Sequence, residues 1–282
     1  MTILTALLAS VLFGVGDFFG GSASRKSPVA GVLLASGVVG LPLLAALAVL
    51  GPGSVSAGAM VWGAMAGVGG GLGVLLLFRG LAGAAMSVVA PLTAVMSAVV
   101  PVLIGVATGE RPPALAYVGM ILALLAVTLI SRGERHGAGD TDVAPATRAG
   151  VLLALLAGTF FGLYFVLLKQ APADSGVWPV LAGRISAVAL FVVIAVRTTG
   201  LRFPSGRAGA LALLSGLVDT VANVLFLVAV RGGLLSLIAV IVALYPASTV
   251  LLARVVFAER LARAQLLGLA CAAAGVAVMA AG

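Results

Sequence analysis

Three charged residues stand inside long apolar runs of this chain: Asp17, Arg184 and Asp219. Asn223 follows Asp219 by one helical turn. A charge at the centre of a bilayer costs about 2.5–3.5 kcal/mol on insertion scales, so such a residue faces a bundle interior or water and finds a partner. Asp and Arg at that depth can pair with each other, hold a polar solute or carry a proton. Tyr164, and Tyr245 beside Pro246, add aromatic rings with a hydroxyl that can line a cavity or anchor locally. These six residues form the candidate substrate-binding set. Two plainer readings stand beside it: an Asp219–Arg184 ion pair that only joins two helices, and an Asp17 side chain that snorkels towards Arg25.

Other chemistries lack their residues. The chain has one His, His136, in a polar linker and one Cys, Cys271, so neither a metal cluster nor an intramolecular disulfide is expected, and no cofactor is implied. No G-x-x-x-x-G-K-[ST] loop occurs to drive pumping by a nucleotide. A membrane enzyme acting on lipid would need clustered His, Asp or Glu at an interface, and the acids here are scattered. Glu110 and Glu259 stand next to Arg at helix ends, where a carboxylate can pair with its neighbour and satisfy the N-terminal N–H groups of the following helix.

The elements that position these residues are membrane helices. With 62% hydrophobic and 9% charged residues, the chain has too little polar surface for a soluble globule of 282 residues. The charge of +8 is concentrated at predicted helix ends, which points to loop orientation and not to nucleic acid. The N-terminus lacks the basic stretch of a cleaved signal, so the first apolar run is expected to be retained. Ten transmembrane helices are predicted, at 2–20, 28–50, 57–79, 84–107, 112–131, 149–170, 177–197, 207–230, 233–256 and 261–281. Turn chemistry separates them at Ser24–Pro28, Gly51–Ser54, Arg111–Pro113 and Pro204–Gly206.

The helices come in two sets. Ser87–Arg111 recurs as Ser236–Arg260, 149 positions later, with Gly83 on Gly232, Ala90 on Ala239, Glu110-Arg111 on Glu259-Arg260, and Gly119 on Gly268. Residues 1–131 and 149–282 therefore read as two five-helix repeats joined by a polar linker at 132–148. Five is odd, so the second copy enters the membrane from the opposite face and the repeats are inverted, an arrangement that many secondary transporters build around a midplane site. Small residues at four-residue spacing, such as Gly16/Gly20 and Gly158/Gly162, suit close helix packing, and Pro91, Pro101 and Pro246 are candidate bends. Asp219 maps onto Gly70, Asn223 onto Val74 and Asp17 onto Phe165, so the scaffold is shared while the polar equipment is not. Twelve Lys and Arg fall in one set of alternate loops and three, Arg111, Lys169 and Arg231, in the other, which predicts a cytoplasmic linker and extracytoplasmic termini.

Gly-Glu-Arg at 109–111 with Gly119, Ala-Glu-Arg at 258–260 with Gly268, Arg79-Gly80-Leu81-Ala82-Gly83 and Arg231-Gly232-Gly233 are the motifs by which the whole chain resembles the EamA family of the drug/metabolite transporter superfamily. Within that superfamily it looks like the YddG-like ten-helix exporters. Arg184, in Ala182-Gly183-Arg184-Ile185, looks like the family's Arg in the second helix of a repeat; the first repeat departs from this with Ala35-Ser36-Gly37. The resemblance implies ten helices around a central cavity and the export or uptake of amino acids, other small metabolites or drugs by a multi-pass protein of the cytoplasmic (inner) membrane, with a monomer as one candidate state. Its partners are then a small-molecule metabolite and the lipid bilayer, with no nucleic acid. The alternatives are a membrane-embedded lipid-acting enzyme or a channel.

Overall fold

The computed structural model describes the backbone of residues 1–24, 26–83, 86–132, 148–198, 202–257 and 262–281. Arg25, His136, nearly all of the linker and the Glu259-Arg260 pair lie outside the described residues. All regular structure among the described residues is helical: α1 (Thr2–Ser24), α2 (Val29–Leu50), α3 (Ala57–Gly83), α4 (Met86–Ala107), α5 (Ala114–Arg132), α6 (Arg148–Gln170), α7 (Trp178–Thr198), α8 (Gly206–Gly232), α9 (Leu235–Val242), α10 (Tyr245–Phe257) and α11 (Arg263–Ala281), with one 3₁₀ turn at Ala173–Ser175. Among the described residues, seven helical stretches are long and apolar enough to cross a membrane, and Leu92–Ala107, Ala114–Ile130 and Leu235–Thr249 are shorter apolar ones. Leu4, Leu8 and Val11 of α1, Leu50 of α2 and Val255 of α10 stand exposed, as the outside of a bundle in lipid requires.

The helix contacts obey an exchange. α1 packs on α8, and α6 packs on α3; α2 packs on α8, and α7 on α3; α1 packs on α10, and α6 on α4. The contacts α5 to α11, α2 to α7 and α4 to α9 map onto themselves when the halves are swapped. Individual residues follow the same rule. A Cβ at Gly119 would lie 2.5 Å from Met279 Cγ and 2.7 Å from Gly275 O, while one at Gly268 would lie 2.8 Å from Ile130 Cγ1 and 3.0 Å from Ala126 O. Each of these partners is 149 positions from its counterpart, so the sequence offset reappears as paired close approaches between α5 and α11. Gly67 against Gly183 and Gly216 against Ser36 form a second pair, with the glycines 149 positions apart and their partners 147, and with backbones too close for any side chain.

The predicted ninth helix, 233–256, is two helices, with a break at Ala243–Leu244. Pro246 supplies the reason. It has no N–H to give to the carbonyl four residues back, Val242 O, and its ring crowds that carbonyl. Ser10 of α1 donates its hydroxyl to Val242 O at 3.2 Å, closing a gap that lipid could not close. By contrast, α4 continues as helix through Pro91 and Pro101, so the expected bend becomes a break only at Pro246. The short α9 is buried along nearly its whole length, at the centre of the largest apolar cluster with Phe226 of α8, Val166 of α6 and Ala94 of α4.

Ser10→Ala should lower the thermal stability of the purified protein by about 1 kcal/mol, because it leaves Val242 O buried without a donor. Ser10→Thr, which keeps the hydroxyl, should lose less in the same detergent melt.

Candidate functional site

The unmatched polar residues meet where α1, α6, α7 and α8 approach one another. Arg184 on α7 reaches Asp219 on α8, Nη2 to Oδ2 at 2.5 Å, and donates also to Thr220 Oγ1 at 3.3 Å. Gly40 on α2, which packs against both helices, makes room for that reach: a Cβ there would lie 3.6 Å from Arg184 Nε and would overlap Thr220 Oγ1. The Arg184 side chain is 13% exposed and the Asp219 side chain 34%, so the pair is shielded on the arginine side and open on the carboxylate side. Asn223 donates Nδ2 to Asp219 O at 2.7 Å and accepts the Tyr164 hydroxyl proton at Oδ1. The Tyr164 ring fills the space left by Gly70 on α3, the residue that corresponds to Asp219 in the first half. Four of the six candidate residues are thus one connected network.

Asp17 faces that network from α1 without bonding to it. On a helix advancing about 100° per residue, Gly14 marks the flank that meets α10 and Gly16 and Gly20 the flank that meets α8. Asp17 falls between those flanks, on the far side of α1 from the exposed Leu4, Leu8 and Val11. It therefore points into the bundle, within electrostatic reach of Asp219. Yet its surface is exposed. Its side chain thus faces the neighbouring helices and is still accessible.

Tyr245 stands elsewhere. Its backbone opens α10 against Gly14, where Ser248 and Thr249 donate to Val11 O at 3.2 Å and Gly14 O at 3.1 Å, and its ring packs on the main apolar cluster.

One face of the bundle is tied shut by groups at its helix ends. Glu110 accepts from the backbone N–H of Leu235 at 2.6 Å and of Ser236 at 2.9 Å, so it caps α9 of the second half. The expected helix for that cap was the following one, α5; the structure corrects the partner and keeps the chemistry. Lys169 donates to Val230 O and to Gly233 O, the latter at 3.0 Å, and Arg231 donates to Gly176 O at 2.7 Å, Pro172 O at 3.0 Å and Ser175 Oγ at 2.8 Å. Ser54 N donates to Asp174 O at 3.0 Å, and Thr2 donates to Gly232 O at 3.3 Å. The sequence presents Lys169 as a loop charge and Arg231 as a loop charge and motif residue, and gives no sign of Thr220, Gly40 or Ser10. The small or hydroxyl-bearing residues carry no signal without knowing which helix they face.

The EamA-like transporter family model matches residues 1–132 and 148–281. One solved structure, described as the crystal structure of a protein, is similar with a TM-score of 0.77 at 21% identity, over 98% of this chain and 95% of that one; at this identity the likeness concerns the fold. No curated protein matches the chain.

Replacing either partner of the ion pair strands the other, so Arg184→Gln and Asp219→Asn should each destabilise by about 3 kcal/mol or less, the carboxylate's partial exposure softening the loss. The double variant should recover much of that. Strictly additive losses in a melt-based double-mutant cycle would contradict the pairing.

Proposed function

Because the chain belongs to the EamA-like transporter family, we propose that it is a secondary transporter, moving a small polar or amphipathic solute by alternating access around the Asp17, Tyr164, Arg184, Asp219 and Asn223 cluster. The observation that carries this reading is the pairing of an accessible, inward-facing Asp17 with a face that Glu110, Lys169 and Arg231 hold closed. A hollow reached from one side only is what one state of an alternating-access carrier requires. Two halves whose contacts exchange so closely support the inverted-repeat reading, with 1–131 and 149–282 as the units and 132–148 as their linker. Such halves offer two related conformations of similar energy, and the break at Ala243–Leu244 is a place where α9 and α10 can turn separately.

The finer reading is a YddG-like exporter of amino acids or related metabolites and drugs in the cytoplasmic (inner) membrane, with ten spans if α9 and α10 are counted as one. The excess of Lys and Arg on the face opposite Glu110 supports a cytoplasmic linker and extracytoplasmic termini. The hollow then opens to the cytoplasm, the side from which an exporter loads. Tyr245 belongs to this reading as a residue beside the hinge.

Reconstituted in liposomes and offered a panel of amino acids, nucleosides and cationic drugs, the protein should give saturable flux with counterflow for one of these classes. Asp219→Asn should cut that flux at least about tenfold, as the loss of roughly 1.4 kcal/mol of site organisation would, and His136→Ala should leave it unchanged. Non-saturable currents would indicate a channel, turnover of lipid an enzyme, and a folded protein with no flux across the panel would refute the proposal.

A further inference from the structure

Among the described residues the charges of the central cluster do not balance. Arg184 is committed to Asp219 at 2.5 Å and to Thr220, and Asn223 is committed to Asp219 O and to Tyr164. Asp17 has no hydrogen bond or ion pair among the described residues. The elements packed on α1 offer it little. From α8 the nearest charge is Asp219, which has the same sign; α9 and α2 have no charged residue; and Arg254 on α10 and Arg25 just beyond α1 have side chains outside the described residues. Tyr164 on α6 and Arg184 on α7 lie beyond Asp219 and are already engaged.

An uncompensated carboxylate in the interior of a membrane protein is unfavourable unless water or a cation reaches it, and the accessibility of Asp17 provides the route. We infer that Asp17, and not Asp219, is where this protein takes up a single positive charge, either a proton or the ammonium group of a solute. The geometry gives the two acids separate tasks. Asp219 organises the pocket wall by holding Arg184, Thr220 and, through its carbonyl, Asn223. Asp17 meets whatever enters. One free carboxylate beside one neutral pair leaves the hollow one negative charge, which favours a monovalent cation or an ammonium-bearing solute and disfavours anions. This rests on the transporter reading for its role but not for its test.

Dicyclohexylcarbodiimide modifies protonated carboxyl groups in apolar surroundings, so the wild-type protein in detergent can be labelled with it and the adducts located by peptide mass. Asp17 should carry at least about tenfold more label than Asp219, whose carboxylate is engaged by Arg184. Labelling should fall as pH rises. Protection by n-butylammonium chloride at fixed pH, compared with equal sodium chloride, identifies an ammonium-bearing solute as the source of the charge, whereas pH dependence without protection identifies the proton alone. Equal or greater label on Asp219, or none on Asp17, would overturn the inference. So would label on Asp17 that emerges only in Arg254→Gln, since α10 would then already supply the counter-charge. A protein that carries no solute in liposomes can still pass this test, so the two readings fail separately.

Discussion

In the hydrocarbon of a bilayer, water is not there to rescue an unpaired polar group, and every other feature of this bundle follows from that constraint. Pro246 takes a donor away from Val242 O, and Ser10 on another helix restores it. The first turn of α9 has free N–H groups, and the carboxylate of Glu110 takes two of them. The last turn of α8 has free carbonyls, and Lys169 donates to Val230 O and Gly233 O there. Asp219 needs a cation, and Arg184 reaches past Gly40 to provide one. Each repair links two helices, so satisfying the backbone and fixing the tertiary structure are one process. Asp17 is the described acid at cavity depth for which no such repair is seen, which is why it attracts a functional reading.

The duplication explains how such a structure can have two related shapes. Gly119 on Gly275 and Gly268 on Ala126 are the same contact made twice with the halves interchanged, as are Gly67 on Gly183 and Gly216 on Ser36. The site breaks this symmetry. Where the second half has Asp219, the first has Gly70 under the ring of Tyr164, and where the first has Asp17, the second has Phe165 stacked at 4.4 Å on Phe226. Under the proposed alternating access, a shared scaffold with unshared polar groups would let solute preference change without disturbing the packing common to the two halves.

Much of this was legible in the residues. Composition dictates a membrane bundle, and the 149-residue offset between the two Glu-Arg motifs anticipates that a close approach made by one half is made again by the other. The cost of a charge in lipid singles out Asp17, Arg184 and Asp219, and the last two do pair. What a linear pattern cannot say is which helix stands opposite. Glu110 reads as a cap, but the geometry hands it to α9 and not to its neighbour in sequence. Thr220, Gly40 and Ser10 are ordinary membrane-helix residues until a guanidinium or an orphaned carbonyl lies against them. Three prolines look alike in sequence, yet α4 stays helical through two while the chain breaks at the third, where a hydroxyl is on hand to accept the consequence.

The central claim is that the face closed by Glu110, Lys169 and Arg231 opens in exchange for the other. Spin labels at Arg111 and Ala173, both exposed on that face, in a Cys271→Ser background free of the native thiol, report its width directly by pulsed dipolar spectroscopy in lipid nanodiscs. Two distance populations are predicted, the shorter matching the closed arrangement described above, with their ratio shifted by a transported solute and by Glu110→Gln. A single distance that neither the solute nor Glu110→Gln changes would contradict alternating access.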